Sequence, residues 1–234
     1  MPSNSSLSVT WLGHGTFDLV SPAGKRIIID PWLEQNPSCP ADRRKIPRAD
    51  LILATHGHFD HIGDLVPVAR ETGAKVIGIF ELCTWLGKKG VQNTSPMNIG
   101  GSQRVGDITI TMTPAIHSSS FVEDGGAVYL GEPAGFVIRF EDGITAYFAG
   151  DTALFSDMRL IKEMHEPSIA FLPIGDLFTM GPEAAARAAR LLGVKQVVPM
   201  HYGTFPLLTG TPERLRELLP TIEVLELKPG DTAR

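Results

Sequence analysis

The segment Thr55-His56-Gly57-His58-Phe59-Asp60-His61 gathers three imidazoles and one carboxylate into six consecutive residues, His56 to His61. Nitrogen and oxygen donors of this kind suit a borderline divalent cation such as zinc. In an extended segment alternate side chains share a face, so His56, His58 and Asp60 can converge there. His61 is one step out of phase and joins them once the chain turns into a following helix. A plainer reading makes Asp60 a helix cap and the histidines polar loop residues. The density of donors in so short a run favours the metal. Three further candidates stand singly, each at the end of a β-rich run: His117, Asp151 and His201. Layered folds assemble sites at strand ends from distant parts of the chain, so their shared placement counts for more than any one of them alone. His14, between Gly13 and Gly15, is a candidate for orienting a ligand or touching substrate. His165 sits near a helix end, where a cation is favoured, and reads as structural.

The elements that must position these residues follow from periodicity. Residues 7–12, 16–20, 25–29 and 51–54 are apolar or alternating and bounded by Gly, Pro and Asp, as strands of a buried sheet are. Helical spacing of Ile62, Leu65, Val66 and Ala69 ends at Gly73, with Pro67 confined to the first turns. A strand over 75–79, a helix over 81–88 and a polar connection to Gly101 follow, then a strand over 108–112. Residues 136–140 and 144–148 flank Asp142-Gly143, a hairpin signal. Beyond a helix over 156–165, strands at 169–173, 197–200 and 223–227 alternate with helices over 182–192 and 212–219. Pro182 suits a first helical position and Gly193 a helix stop. This order predicts a mixed α/β fold of two packed sheets with helices outside. Residues 118–134, rich in Ser, Gly and acidic groups, form the longest unpatterned stretch, read equally as a lid or as a plain surface loop.

With 234 residues and 43% hydrophobic content, the chain is long enough for a substantial core, and a single domain over 1–234 is expected. A formal net charge of -5 provides no broad basic surface for a nucleic-acid backbone. Residues 1–10 are polar, and no apolar stretch approaches a membrane span, so a cytoplasmic protein with no membrane partner is expected. Cys39 and Cys83 form no C-x-x-C pair and read as ordinary buried thiols.

The spacing H-x-H-x-D-H, followed by a later His, an Asp and a final His, resembles the metallo-β-lactamase superfamily along nearly the whole chain. Trp11-Leu12-Gly13-His14, Pro114-Ala115-Ile116-His117-Ser118-Ser119, Ala149-Gly150-Asp151-Thr152, Leu172-Pro173-Ile174-Gly175-Asp176 and His201-Tyr202-Gly203-Thr204-Phe205-Pro206 look like one branch of it. That branch comprises small metal-dependent hydrolases similar to L-ascorbate 6-phosphate lactonase. The resemblance implies a four-layer αββα sandwich with two divalent metals at one edge of the sheets. It assigns His56, His58 and His117 to one metal and Asp60, His61 and His201 to the other, with Asp151 bridging them. Asp60 and Asp151 would then be the catalytic carboxylates, and a hydroxide bridging the metals the nucleophile. Zinc is the first expectation; manganese, nickel and iron accept the same donors.

Departures between branches narrow the activity. The β-lactam-hydrolysing branches generally lack this complete set, the di-iron branch typically has Glu at the position of His58, and the RNA-processing branches carry added arms or an inserted domain. The resemblance therefore implies cleavage of a small ester, lactone or phosphodiester, with a small molecule as partner and no nucleic acid. The rivals are an RNA or cyclic-nucleotide phosphodiesterase and a non-catalytic metal-binding module. Ser118, Ser119, Asp176, Thr179, Tyr202 and Thr204, beside ligand segments and strand ends, are candidates to bind substrate or orient ligands. Relatives are often oligomeric, so a homo-oligomer is an expectation.

Overall fold

The computed structural model describes residues 6–234, so the polar start at 1–10 lies partly outside the described residues. Along the chain run β1 (Ser8–Gly13), β2 (Thr16–Val20), β3 (Arg26–Ile29), β4 (Leu51–Leu53), α1 (Phe59–Ile62), α2 (Leu65–Thr72), β5 (Lys75–Ile79), α3 (Phe80–Lys88) and β6 (Thr94–Met97). Next come β7 (Ser102–Val105), β8 (Ile108–Pro114), β9 (Ser120–Glu123), β10 (Gly126–Tyr129), β11 (Ala134–Arg139), β12 (Thr145–Phe148) and α4 (Met158–His165). The chain closes with β13 (Ile169–Pro173), α5 (Pro182–Leu192), β14 (Gln196–Met200), α6 (Pro212–Leu218), β15 (Glu223–Val224) and β16 (Thr232–Ala233).

These elements fall into two compact units. The first takes the described residues through Asn98, with Ser118–Pro133 and Leu227–Arg234. Its seven-stranded sheet runs β16-β1-β2-β3-β4-β5-β6. The pairs from β16 to β3 are antiparallel, and those from β3 to β6 parallel. Ile27, Ile28 and Ile29 in β3 and Leu51, Ile52 and Leu53 in β4 are all buried. Such continuous apolar runs mark strands covered on both faces, where an alternating run would expose half its side chains. Leu65, Val68 and Ala69 form the buried stripe of α2, and the helix stops at Gly73, whose φ of 66° is left-handed.

The second unit takes Ile99–His117 and Ala134–Glu226, with a seven-stranded sheet in the order β15-β14-β13-β12-β11-β8-β7. Here β12, β13, β14 and β15 are parallel, which aligns the ends of three strands that precede candidate residues. Pro182 opens α5 and Gly193, with φ 64°, ends it, as their chemistry predicts. The α5 face of Ala185, Ala186, Ala188, Ala189 and Leu192 is buried in one cluster with Tyr147 of β12 and Ala170 and Leu172 of β13. Small alanines let the helix axis lie close to the sheet, so a larger residue at Ala188 would have to displace it.

Several elements differ from their sequence expectation. The 94–97 segment, expected as part of a connection, and the 102–105 segment, for which no element was expected, are the edge strands β6 and β7. Edge strands are paired on one side only and can be polar and half-exposed, so they lack the apolar signature, and Pro96 is tolerated there. The stretch 118–134 contains the antiparallel pair β9 and β10, turning at Asp124 and Gly125 with φ 51° and 78°. The expected strand at 223–227 pairs only over Glu223–Val224, and β16 was not expected. His165 does end α4, but burial pushes its pKa down and favours the neutral ring over the cation expected at that position. Among the described residues no helix is long and apolar enough to cross a membrane.

Cys39 and Cys83 are both free and buried, as expected, and burial pushes each thiol up to about 11. At pH 8 only about 0.1% of such a thiol is thiolate, the reactive form. An Ellman titration is therefore expected to stay near zero on the native protein and to reach two equivalents in denaturant. Rapid native labelling of either cysteine would contradict the burial.

Candidate metal centre

In the first unit the donors lie where β4 hands over to α1. The chain stays extended through His58, with φ -72° and ψ 151°, and α1 starts at Phe59, where the His58 carbonyl accepts the N–H groups of His61 and Ile62 at 3.0 Å each. Asp60 is therefore on the first helical turn, not on the extended run that strand alternation predicts. His56 Nε2 lies 3.0 Å from His58 Nδ1, and the His56 and His61 ring centroids are 4.2 Å apart. His56 and His61 are fully buried; the Asp60 side chain keeps 16% exposure.

His14 is also fully buried, and its Nε2 lies 3.0 Å from Asp60 Oδ2. Trp11 Nε1 donates to the His14 carbonyl at 2.9 Å, and the His14 ring meets Trp32 edge-on at 5.2 Å. A turn residue in the sequence is thus a rigid neighbour of a candidate ligand.

Asp30 is a site residue that sequence reasoning missed. Its carboxylate accepts from the Thr55 backbone N–H at 2.8 Å and the Thr55 hydroxyl at 2.6 Å, and Oδ2 lies 2.8 Å from His61 Nδ1. Full burial pushes the Asp30 carboxyl above the ordinary carboxylate value, while the His61 ring and the Thr55 donors pull it back. The available signal was an acid directly after the apolar run Ile27-Ile28-Ile29 and before Pro31.

The second unit holds the rest of the set, His117 beyond β8 and the other two donors on the aligned ends of its parallel strands. Asp151 follows β12, and His201 directly follows β14. Asp151 Oδ2 is 3.0 Å from His201 Nε2 and 3.6 Å from His117 Nε2. Asp151 is 3% exposed and His201 2%. The Thr152 hydroxyl accepts the Ile116 N–H at 2.9 Å, and the Ala153 N–H donates to the Ile116 carbonyl at 2.9 Å. Those bonds hold the loops of His117 and Asp151 in register. His14, Asp30 and His201 all have left-handed backbone, with φ 54°, 48° and 56°, and strain of this kind in non-glycine residues gathers at functional sites.

The remaining candidates divide by role. The Ser119 hydroxyl accepts the Gly57 N–H at 3.1 Å, and Ser118 Oγ lies 3.3 Å from His58 Nε2, so both brace the histidine loop. The hairpin that follows them is tied down: Trp85 Nε1 donates to Glu123 at 3.0 Å, Lys89 pairs with the same carboxylate, and Phe121 lies 5.3 Å from the Trp85 ring. Thr179 is half-buried and donates to the Met180 carbonyl at 3.3 Å; Asp176 is exposed. Tyr202 is half-buried against the α5 cluster, and burial pushes its hydroxyl up; Thr204 is half-buried beside it in sequence.

The donor chemistry fits a divalent cation. Asp30, His56 and His61 bring one donor atom each within 4.8 Å of one another, and all three are buried. The cluster of His117, Asp151 and His201 has the same nitrogen and oxygen character.

Residues 25–202 match the family model described as a β-lactamase superfamily domain, a span that runs through parts of both units. A UPF0173 metal-dependent hydrolase of Koribacter versatilis is 50% identical over 226 residues, covering 97% of each chain. One from Rubrobacter xylanophilus is 52% identical over 228 residues, covering 95% of this chain and 94% of its own. Among solved structures, Igni18, a metallo hydrolase from the hyperthermophilic archaeon Ignicoccus hospitalis, aligns with a TM-score of 0.85 at 37% identity, covering 97% of each chain. The mixed α/β architecture with two large sheets is that of the same fold family. The chain belongs to the β-lactamase superfamily, among the UPF0173 metal-dependent hydrolases.

Proposed function

We propose that this protein hydrolyses a small ester, lactone or phosphodiester with the aid of two divalent cations, zinc being the first expectation. His56, His58 and His117 would hold one cation and Asp60, His61 and His201 the other, with Asp151 shared. The family pattern supports this division. The observation that carries the reading is the Asp151 carboxylate, buried with an oxygen 3.0 Å from His201 and 3.6 Å from His117. Burying a carboxylate among imidazoles is costly in a plain core and is repaid where the cluster coordinates a cation.

Bound cations would supply hydroxide at neutral pH by lowering the pKa of water, and would polarise the oxygen of the scissile group. The protein's own residues orient the donors. Asp30 engages Nδ1 of His61, which makes Nε2 the donor atom of that ring and fixes its plane. Thr55 holds Asp30 in turn, and its hydroxyl lies 2.9 Å from His56 Nδ1, so one buried network sets two imidazoles. His14 steadies Asp60.

Protein purified without added metal is expected to carry close to two equivalents of divalent metal by elemental analysis. Loaded protein should turn over nitrophenyl esters, lactones or bis-nitrophenyl phosphate and lose that activity on chelation. Cleavage of RNA with no action on these small substrates would make it a nuclease, and no turnover at all would make it a binding module.

A further inference from the structure

The turn after β13 is strained in a way that the metal cluster does not require. Asp176 and Leu177 are consecutive non-glycine residues with φ 67° and 54°, and Leu177 has no polar side chain to stabilise a left-handed backbone. The turn is pinned at its base, where the Asp176 N–H donates to the Met180 carbonyl at 3.0 Å, and Met180 is buried. At its tip Leu177 and Phe178 are 62% and 55% exposed. A relaxed turn would use glycine at such positions and keep two large apolar side chains out of water.

Its location gives the strain a use. In the sheet β13 lies between β12 and β14, the strands that lead to Asp151 and His201, and all three are parallel. The Leu177–Phe178 tip therefore leaves the same strand ends, between the loops of two candidate metal ligands. Ligands of open α/β sheets bind at that edge. The turn and the His201 loop are also interlocked. A Cβ on Gly175 would lie 2.1 Å from the His201 carbonyl oxygen, and one on Gly210 would lie 1.7 Å from that of Ile174. Only glycine permits these approaches, and the Gly210 N–H donates to the Gly175 carbonyl at 3.3 Å. The His201 loop adds a third exposed apolar residue, Leu207, at 59%.

We propose that Leu177 and Phe178 form an apolar rim that selects substrates bearing an acyl chain or aryl ring next to the hydrolysed bond. This rests on the hydrolytic reading above. Strain in the turn holds the rim out, and the glycine interlock fixes it relative to His201.

The test measures binding of acetate, butyrate, hexanoate and octanoate to zinc-loaded protein by calorimetry, alongside kcat/KM for the matching nitrophenyl esters. Wild-type affinity should rise about twofold to fourfold per methylene, the range for partial to full burial. In the Leu177→Ser, Phe178→Ser double variant the slope should fall close to one. Leu177→Gly should flatten the slope while raising Tm by about 2 °C, because glycine relieves the left-handed strain. A flat wild-type series, an unchanged slope in the double variant, or a lower Tm for Leu177→Gly overturns the proposal. So does a drop in sedimenting mass of the double variant with its slope intact, which would make the patch a subunit contact. A chain-length slope in binding with no ester turned over would sink the hydrolytic reading and leave the rim standing. Turnover indifferent to chain length would do the reverse.

Discussion

Asp151→Asn is expected to lower kcat/KM by about a thousandfold and to reduce bound metal below two equivalents. Asparagine keeps the shape of the side chain but removes the charge that two imidazoles face at 3.0 and 3.6 Å. Loss of one preorganised electrostatic group at a reacting centre typically costs about 10²–10³ in rate, and under the proposed two-cation arrangement the loss of a shared carboxylate would also weaken the metal. Elemental analysis and steady-state kinetics on the same preparation check it, with circular dichroism to show that the variant folds. A variant that keeps both metals and activity within tenfold of wild type would remove Asp151 from the centre.

The largest effect on stability is expected at Asp30. Asp30→Ala removes one acceptor group from three partners at once, the Thr55 N–H, the Thr55 hydroxyl and His61 Nδ1, all in a fully buried environment. Buried donors left without acceptors cost about 1–3 kcal/mol each, and breaking a buried charged pair about 3–5 kcal/mol; since the partners share one carboxylate, about 3 kcal/mol overall is expected. For a chain of this size that is a fall in Tm of about 6–12 °C in metal-free protein. Metal affinity should weaken about 10–100-fold as His61 loses its orientation. Asp30→Asn should fall between wild type and alanine, because one oxygen still accepts while the new amide faces donors. Thermal melts and competition with a chelator measure both effects, and a Tm shift below about 2 °C would show that the network is not holding the fold.

Part of the candidate centre was legible in the chain as a cluster of donors, for identifiable reasons. His56, His58, Asp60 and His61 stand together in sequence, so local geometry already commits them to one place. Pro182 and Gly193 bound α5 as expected because capping is decided within a few residues. The strands β3, β4 and β13 declared themselves by apolar runs that only doubly covered strands can carry. The edge strands β6 and β7 stayed hidden because a strand paired on one side needs no such run. Asp60 was assigned to an extended segment because residue types do not show where a one-turn helix begins; the His58 carbonyl, accepting from His61 and Ile62, decides that.

The kind of chemistry was therefore written in the chain: an all-nitrogen-and-oxygen donor set, clustered once and then repeated at three strand ends, suits a hard or borderline cation however the chain folds. Which nitrogen of each imidazole is engaged, and by what, was decided only by tertiary structure. Asp30 and His61 are 31 residues apart, and their 2.8 Å contact exists because β3 and β4 lie side by side as a parallel pair in one sheet. The Leu177–Phe178 tip was equally silent, since neither its exposure nor its left-handed backbone follows from two apolar letters in a row. The opening cluster names a metal chemistry through residues that are neighbours in sequence. The contacts that orient it join residues distant along the chain, where local propensity carries no information.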